Sequence, residues 1–271
     1  MGPRHSRTGL RHSRTRAGWD MMVAMTSLGT ALLVTVALAV PTAGSTAVAA
    51  EKPRSAIVEK KVIGQSVNGR DIVAWRLGTP TSKKKVLLIA AMHGNETGPT
   101  RTLRALRDGR PIKGADIWVV PVLNRDGVAK GKRQNARGVD LNRNFSTGWK
   151  KQGGATYSGR KAFSEPESRA IRSFADKIKP EYTISFHQPL NGIDIRDTGN
   201  NKWAKRLAAQ IRLPKKAFDC FSSCHGTYSM WFRKHHKAGA VITVEMPAKV
   251  STKYLTRVAP RAILRSVNAT R

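Results

Sequence analysis

The chain has 271 residues, of which 40% are hydrophobic, so it is long enough for one sizeable α/β domain. This composition excludes a disordered chain, a collagen-like chain and a membrane protein with many spans. The 49 lysines and arginines outnumber the 17 aspartates and glutamates, and the formal net charge of +32 at pH 7 favours anionic polymers as partners.

The first 50 residues have the pattern of an export signal. Five arginines precede an apolar run over residues 28–40, and small residues follow it up to Ala50. This order predicts a signal peptide at residues 1–50 and a mature domain at residues 51–271. A single membrane anchor is the alternative, but the apolar run is shorter than the ~20 residues that a span needs. We therefore expect a secreted, extracellular protein with no stable membrane insertion after signal cleavage.

The positive charge narrows the choice of partner for an exported protein. The anionic glycopolymers and peptidoglycan of a cell wall are the polymers that such a protein meets, so we expect association with the cell wall. No nucleic-acid partner is expected, because the basic residues are scattered along the chain and no nucleic-acid-binding motif accompanies them.

The chain has two cysteines, Cys220 and Cys224. An even number in an exported chain predicts a disulfide between them, which would fix the local geometry of a short loop. A structural metal site that includes the adjacent His225 is the weaker alternative, because two thiols do not complete the usual zinc set.

Strands and helices alternate in the first half of the mature chain. Residues 57–67 and 71–77 flank Asn68-Gly69, which is a hairpin signal. The remaining elements predicted here are a buried strand at 86–91, a helix at 97–107, a second buried strand at 117–122, and a long Gly-, Asn- and Arg-rich loop at 124–160.

The second half continues the alternation. Ser164 and Glu167 form a capping-box pattern with Pro166 in the first helical turn, and Ile171, Phe174, Ala175 and Ile178 follow on one helical face. The later predictions are strands at 182–186 and 239–244, helices at 202–210 and 252–267, and a loop at 214–226. No linker divides residues 55–271, so we predict a single α/β domain with a mixed, mostly parallel sheet and helices on both faces.

Four polar residues follow the ends of predicted strands: His93, Asn124, His187 and Glu245. In sheets of this kind the functional site lies at the carboxyl ends of the strands. These side chains are therefore expected to share one site.

His93 and Glu96 are three residues apart, between a buried strand and a helix, so both side chains can face one metal ion. His187 is the natural third ligand, and two histidines with one carboxylate leave a fourth position for water, as at catalytic zinc sites. Glu245 would then be the carboxylate that accepts a proton from the water. The alternative is that His93 and Glu96 are ordinary turn and cap residues, because this spacing is common. The same donors would also hold cobalt or iron(II).

Four motifs in order resemble the zinc carboxypeptidase family, which is related to carboxypeptidases A and B. They are His93-Gly-Asn-Glu96, the run Gly-Val-Asp-Leu-Asn-Arg-Asn-Phe at 138–145, the strand-terminal His187, and Thr243-Val244-Glu245. The resemblance covers about residues 60–250. It implies a zinc carboxypeptidase-like fold, with a twisted sheet of about eight strands, and one zinc ion.

The resemblance also implies a role for each matching residue. The metal ligands are His93, Glu96 and His187, and Glu245 is the general base. Arg133 stabilises the oxyanion. Asn142 and Arg143 bind the carboxylate of the substrate, and Asp140 orients His93.

Within that family the chain looks closest to bacterial murein-peptide amidases, which cleave between γ-D-glutamate and meso-diaminopimelate. The compact loop from Asn124 to Asp140 carries this likeness. The substrate would then be a peptide derived from peptidoglycan. Tyr228 is not assigned the substrate-contacting role of a family tyrosine, since we place it beyond the loop on the next helix. Asp194, Arg196 and Asp197 are hypothesised to line the specificity pocket, although charged loop residues are usually only solvated.

Other functions stay open at this point. One is a general metallocarboxypeptidase that trims protein C-termini, and another is a deacylase of the related acyl-amino-acid type. A third, from a different class, is a non-catalytic basic protein that binds the cell wall. The presence of both Glu245 and Arg133 argues against the third, because binding alone requires neither. His235 and His236 lie in a basic run and are expected on the solvated surface.

Overall fold

The computed structural model describes residues 55–218 and 224–271. The predicted signal peptide and Cys220 lie outside these residues, so the signal peptide, its cleavage and the Cys220–Cys224 disulfide stay predictions. Strands of the described part are β1 (Ile57–Gln65), β2 (Asp71–Gly78), β3 (Lys85–Ile89), β4 (Asp116–Val120), β5 (Tyr182–His187), β6 (Leu190–Asp194) and β7 (Ala240–Pro247).

The helices lie between these strands and at the end of the chain. They are α1 (Gly98–Arg107), α2 (Arg125–Lys130), α3 (Pro166–Ile178), α4 (Asn201–Ile211), α5 (Tyr228–His235) and α6 (Ala259–Ser266), with a π-helical turn at Tyr254–Val258 before α6. Short 3₁₀ turns occur at Leu141–Arg143 and Gly154–Thr156.

The strands of the described residues form one sheet in the order β1-β2-β4-β3-β5-β7-β6. The four central strands β4, β3, β5 and β7 are parallel, while β1, β2 and β6 pair antiparallel with their neighbours. Every residue of β4 and β5 is buried, and so is every residue of β3 after Lys85, as expected for strands covered on both faces.

Alternate residues of the central strands point into two cores. On one face, Leu88 and Val119 belong to a cluster that also contains Leu103 of α1, Trp203 of α4 and Ile263 of α6. On the other face, Leu87 and Trp118 belong to a second cluster, which contains Phe174 of α3 and Trp231 of α5. The predicted layered architecture, with helices on both faces of a mostly parallel sheet, is confirmed.

Parallel strands give the sheet two chemically different edges. The carboxyl ends of β3, β5 and β7 lie together, because Ile89 pairs with Ser185 and His187 pairs with Glu245. The amino ends lie at the opposite edge, where Lys85 pairs with Asp116. The two edges therefore present different residues to solvent, and the candidate site lies at the carboxyl edge.

The structure differs from the sequence-based prediction in four places. The sheet has seven described strands rather than about eight. The predicted 124–160 loop contains α2, and the segment after His187 contains β6, an antiparallel edge strand. The capping box is wrong: Glu165 is the N-cap residue of α3, and no side chain caps it. Glu167 instead accepts hydrogen bonds from Val67 N–H and from Asn135, so this carboxylate is used for a tertiary contact.

Within the described ranges, no helix is both long enough and apolar enough to cross a membrane.

Candidate metal centre and active-site cavity

Three side chains from two strand ends meet at the carboxyl edge of the sheet. His93 and Glu96 lie in the turn between β3 and α1, and His187 is the last residue of β5. One ligand atom from each lies within 4.8 Å of the others, and all three residues are buried. Nδ1 of His93 is 2.7 Å from Oε1 of Glu96 and 3.3 Å from Nδ1 of His187, which is itself 3.0 Å from Oε2 of Glu96. The fold thus brings together the three predicted ligands.

This donor set fits a zinc ion. Tetrahedral zinc with bonds of about 2.0 Å to nitrogen separates two ligand atoms by about 3.3 Å. The two Nδ1 atoms already have that separation, 3.3 Å. A set of two imidazoles and one carboxylate is also one of the ligand sets found at catalytic zinc sites. The three side chains therefore need little movement to bind the ion.

The other nitrogen of each imidazole is fixed by a buried oxygen. Nε2 of His93 lies 2.9 Å from Oδ1 of Asp140, and Nε2 of His187 lies 2.9 Å from Oγ of Ser185. Each of these contacts turns Nδ1 toward the shared centre. Partners of this kind orient histidine ligands and raise their basicity. Sequence reasoning predicted the Asp140 contact from the family resemblance, but it missed Ser185.

Electrostatics at the centre favour a positive charge between the two imidazoles. Burial alone would lower the pKa of His93, but the charges of Asp140 and Glu96 outweigh it and raise the pKa to about 9. Burial alone would raise the pKa of Glu96, but His93 and His187 lower it to about 2. The pKa of Asp140 is likewise well below its ordinary value, because His93 and the arginines outweigh its burial. The buried carboxylates thus provide negative charge for a cation.

The turn that carries His93 lies directly on the segment that carries Arg133. Gly94 N–H donates to Arg133 O at 3.1 Å. A Cβ at position 94 would collide with the backbone of Gly127, Val128 and Lys132, so only glycine permits this approach. The backbone contact sets the distance between the candidate ligands and the Arg133 side chain.

Glu245 lines the same cavity as the three candidate ligands. The cavity has a volume of about 410 Å³ and also borders Arg133, Asn142 and Arg143. Glu245 is paired with His187 across the β5–β7 ladder, and its Oε2 accepts the Leu190 N–H at 3.3 Å. Burial raises the pKa of Glu245, and the nearby charge of Glu96 adds to this, while His187 opposes it.

Asn142 and Arg143 lie in the 3₁₀ turn that follows Asp140. The Asn142 Oδ1 accepts the Tyr228 N–H at 3.0 Å, which fixes the side chain from α5. Arg143 is 5% exposed, its Nη1 donates to Asn142 O at 2.8 Å, and its buried Nε has no hydrogen-bond partner among the described residues. Burial and the charge of Arg133 lower the pKa of Arg143, although Asp140 opposes them. Such an arginine is suited to an anionic ligand.

Arg133 is held from one side by Asp140. Its Nε and Nη2 donate to Oδ2 of Asp140 at 3.0 and 2.8 Å, and its Nη1 lies 3.5 Å from Oε1 of Glu96. The guanidinium group is therefore fixed beside the metal centre, with one edge on Asp140 and the other near the cavity. Asp140 connects this group to His93 through its second oxygen.

The cavity is also lined by the three charged residues that we hypothesised there, Asp194, Arg196 and Asp197. Arg196 pairs with Asp194, with Nη2 2.9 Å from Oδ2, and Arg233 of α5 lies 3.4 Å from Asp197. Hydrogen bonds from Arg196 and the Phe218 N–H lower the pKa of Asp194, although burial opposes them. Their position in the cavity is consistent with contact to a substrate, but which ligand they bind stays a prediction.

Tyr228 is the first residue of α5 and is completely buried, which confirms that it lies beyond the loop on the next helix. Its side chain packs against Phe145 rather than reaching the cavity. His236 contacts Asp176 at 3.0 Å and stacks on Phe232, so it is not simply solvated, whereas His235 is exposed as expected.

Gln188 is a second residue that sequence reasoning missed. Its Oε1 accepts the Gly98 N–H at the start of α1, and its Nε2 donates to Pro247 O and Ala248 O at the end of β7. It ties the turn that holds His93 and Glu96 to the strand that holds Glu245. Its position directly after His187 was the only signal in the sequence.

The sequence is similar to those of zinc carboxypeptidases and murein peptide amidases. A model of the zinc carboxypeptidase family matches residues 45–191. Murein peptide amidase A of Escherichia coli K12 is 34% identical over 166 residues, which are 56% of this chain and 67% of that protein. Murein peptide amidase A of Vibrio campbellii is 30% identical over 198 residues, 68% of this chain and 77% of that protein.

Solved structures agree with the fold. The murein-tripeptide amidase of Escherichia coli O157 has a TM-score of 0.63 and 28% identity, and the match covers 78% of this chain and 92% of that chain. Carboxypeptidase A of Helicoverpa armigera has a TM-score of 0.60 and 21% identity, covering 79% and 68% of the two chains. The second match supports the fold alone.

Proposed function

Because the chain belongs to the zinc carboxypeptidase family and is a one-zinc metallopeptidase, we propose that it acts on murein peptides. The bond that it hydrolyses is the amide between γ-D-glutamate and diaminopimelate. The observation that carries the proposal is the position of Arg143. This buried guanidinium group lines the same cavity as the metal centre and Glu245, and its Nε has no partner in the described part of the chain. A substrate with a free carboxylate next to the cleaved bond satisfies it.

The carboxylate end of the substrate is bound by Asn142 and Arg143. Arginine binds a carboxylate with two parallel hydrogen bonds, so it fixes both the position and the direction of the substrate. Asn142 Oδ1 already accepts the Tyr228 N–H, which leaves its Nδ2 as the donor. Binding at this point places the adjacent amide bond between the metal centre and Glu245.

His93, Glu96 and His187 would hold the zinc ion, which would polarise the scissile carbonyl and lower the pKa of water toward neutrality. Glu245 accepts the proton of the attacking water and transfers it to the nitrogen of the leaving amine. Its burial and its raised pKa suit both steps, because a base with a raised pKa holds the proton more readily. Leu190 N–H holds one of its oxygens in place.

Arg133 stabilises the negative charge that develops on the carbonyl oxygen. Asp140 fixes this guanidinium group before substrate binds, so little reorganisation is needed in the transition state. Since the same Asp140 also orients His93, one buried carboxylate sets the relative position of a ligand and of the oxyanion donor.

The charged residues Asp194 and Arg196, which line the cavity, favour a substrate with a diaminopimelate side chain over one with an apolar side chain. Diaminopimelate ends in an amine and a carboxylate, and the Asp194–Arg196 pair offers one partner for each. The named murein peptide amidases among the relatives support the same substrate class. A further part of the proposal is that the protein is secreted and acts on peptides released from or attached to peptidoglycan. It stays near anionic cell-wall polymers because of its positive charge, which falls only from +32 to +28 when residues 1–50 are removed.

A general metallocarboxypeptidase is the second candidate. Carboxypeptidase B of Bos taurus is also similar, with 29% identity over 66% of this chain and 51% of that protein. The test is to offer the purified protein a γ-D-glutamyl-diaminopimelate peptide and an ordinary C-terminal peptide, with zinc and with chelator. We expect zinc-dependent cleavage of the first and little of the second. Preference for the ordinary peptide would support the second candidate, and cleavage of neither would overturn both.

A further inference from the structure

Five arginines surround a second cavity, which we call the arginine groove. They are Arg110, Arg257, Arg261, Arg265 and Arg271, and the cavity has a volume of about 510 Å³. Arg110 and the three helical arginines are exposed. The groove is concave, so several guanidinium groups can approach one ligand at the same time.

One end of the groove, formed by Gly109, Arg110 and Thr270, lies at the amino edge of the sheet. Helix α1 starts beside the metal centre and runs back along the sheet, so Gly109 and Arg110, which follow it, are at the other end. Lys113, just before β4, forms a bridge with Thr270 of the groove. No residue lines both this groove and the active-site cavity among the described residues. The two sites are therefore separate.

The three helical arginines, Arg257, Arg261 and Arg265, are spaced so that their charges repel each other. Arg257, Arg261 and Arg265 are four residues apart along the π-helical turn and α6, so they lie on one face. Like charges at this spacing destabilise a helix. Among the described residues no acidic side chain lines the groove, so no carboxylate there offsets the repulsion between the arginines. An anionic ligand would supply that partner.

Arg271 has a structural role that the others lack. Its Nη2 donates to Ala105 O and Leu106 O at the end of α1, where carbonyl groups need donors. Burial lowers the pKa of Arg271, and the charge of Arg110 lowers it further, so the two guanidinium groups are close enough to repel each other. Arg110 and the three helical arginines are therefore the groups that would bind a ligand.

We propose that the arginine groove binds the phosphodiester backbone of an anionic cell-wall polymer. Guanidinium groups bind phosphate through parallel hydrogen bonds, and a row of them matches a chain with repeated phosphates. Single-stranded nucleic acid fits less well, because single strands are bound by stacking on aromatic rings, and no described residue that lines the groove is aromatic. The choice of a cell-wall polymer rests on the proposed function, whereas the phosphate chemistry does not.

The test compares two triple variants of the full chain. The first is Arg257→Gln/Arg261→Gln/Arg265→Gln. The control, Lys60→Gln/Lys177→Gln/Lys237→Gln, removes the same charge from exposed positions outside the groove. Binding of a poly(glycerol phosphate) chain is measured by fluorescence anisotropy at several salt concentrations. We expect the groove variant to bind about tenfold or more weakly, with the slope of log K against log salt reduced by about 2, and the control to change far less.

Several results would overturn the proposal. An equal loss of affinity in both variants would mean that the whole surface charge attracts the polymer. If the unmodified protein does not bind the polymer, the proposed site does not exist. Tighter binding of single-stranded DNA that depends on the same arginines would assign the groove to nucleic acid. If the triple variant does not fold, the single variant Arg261→Gln replaces it. This variant should lower the slope of log K against log salt by about 0.7–0.9. Hydrolysis of a soluble murein peptide, measured in parallel, tests the proposed function separately and should be equal in all variants.

Discussion

Oδ1 of Asp140 lies 2.9 Å from Nε2 of His93, and both side chains are buried. The second oxygen of Asp140 holds Arg133. One carboxylate thus acts on two groups that the proposed reaction needs.

We expect Asp140→Asn to weaken zinc binding by about 10–100-fold, since partners of histidine ligands contribute that much to metal affinity. The amide keeps the size of the side chain but loses the charge that orients and polarises His93. Competition with a chromophoric chelator measures the affinity. Ser185→Ala, which removes the neutral partner of His187, should have a smaller effect. Unchanged zinc affinity in Asp140→Asn would show that the contact with His93 has no role in the metal centre.

Glu245→Gln should lower kcat by about 10²–10⁴-fold and leave zinc affinity unchanged, because a general base contributes this factor and is not a ligand. Steady-state kinetics and metal content on the same sample give both quantities. Glu59→Gln, a partly exposed glutamate of β1, is the control and should match the unmodified protein. If zinc is lost from Glu245→Gln, Glu245 is a ligand and its role has been misassigned.

Arg143→Lys should raise KM by about tenfold or more with a smaller change in kcat. Lysine keeps the charge but cannot form the two parallel hydrogen bonds of a guanidinium group. The informative comparison uses a peptide with a free carboxylate and the same peptide with that carboxylate amidated. The unmodified protein should prefer the free acid strongly, and the variant should lose most of that preference. A preserved preference would place the carboxylate elsewhere in the cavity.

Asp126 predicts a dependence of folding stability on pH. It is buried, and it accepts the Asn68 N–H at 3.0 Å and pairs with Arg70 at 2.5 Å, so it fastens the β1–β2 turn to α2. Burial alone would raise its pKa, but these hydrogen bonds outweigh it and the pKa is lowered. Its stabilisation is therefore complete above the ordinary carboxylate pKa of about 4 and is lost as the pH falls through the lower folded value.

Asp126→Asn should consequently lower the free energy of unfolding by roughly 1–3 kcal/mol at pH 7, as expected when a buried hydrogen-bonded charge is removed. The difference from the unmodified protein should shrink as the pH falls well below 4. Denaturant unfolding at several pH values measures it. Asp71→Asn changes an exposed carboxylate of the same hairpin and should have little effect. A constant difference at all pH values would show that ionisation of Asp126 is not the cause.

The convergence of His93, His187 and Glu245 could be predicted from the sequence, because each follows a short apolar run and the carboxyl ends of parallel strands meet at one edge. The roles of Asp140, Asn142 and Arg143 needed the family resemblance, since a polar loop has no periodicity that fixes its shape.

The missed features depend on contacts between distant segments. Ser185 lies two residues before His187, so both point to the same side of β5, but the alternation alone does not reveal which serine meets an imidazole. Glu167 fits a capping box by its position, yet its carboxylate bonds to Val67 and Asn135, which are far away along the chain. A local pattern does not predict the stronger tertiary partner.

The active-site cavity and the arginine groove share no lining residue among the described residues, and this separation affects how substrate is encountered. A molecule held on a polymer by its groove keeps the cavity accessible. Peptides fixed in the same layer then meet the cavity at an effective concentration set by their local density rather than by the bulk solution. The turnover of assembled wall would therefore depend on how long each molecule stays attached, whereas the turnover of a small soluble peptide would not.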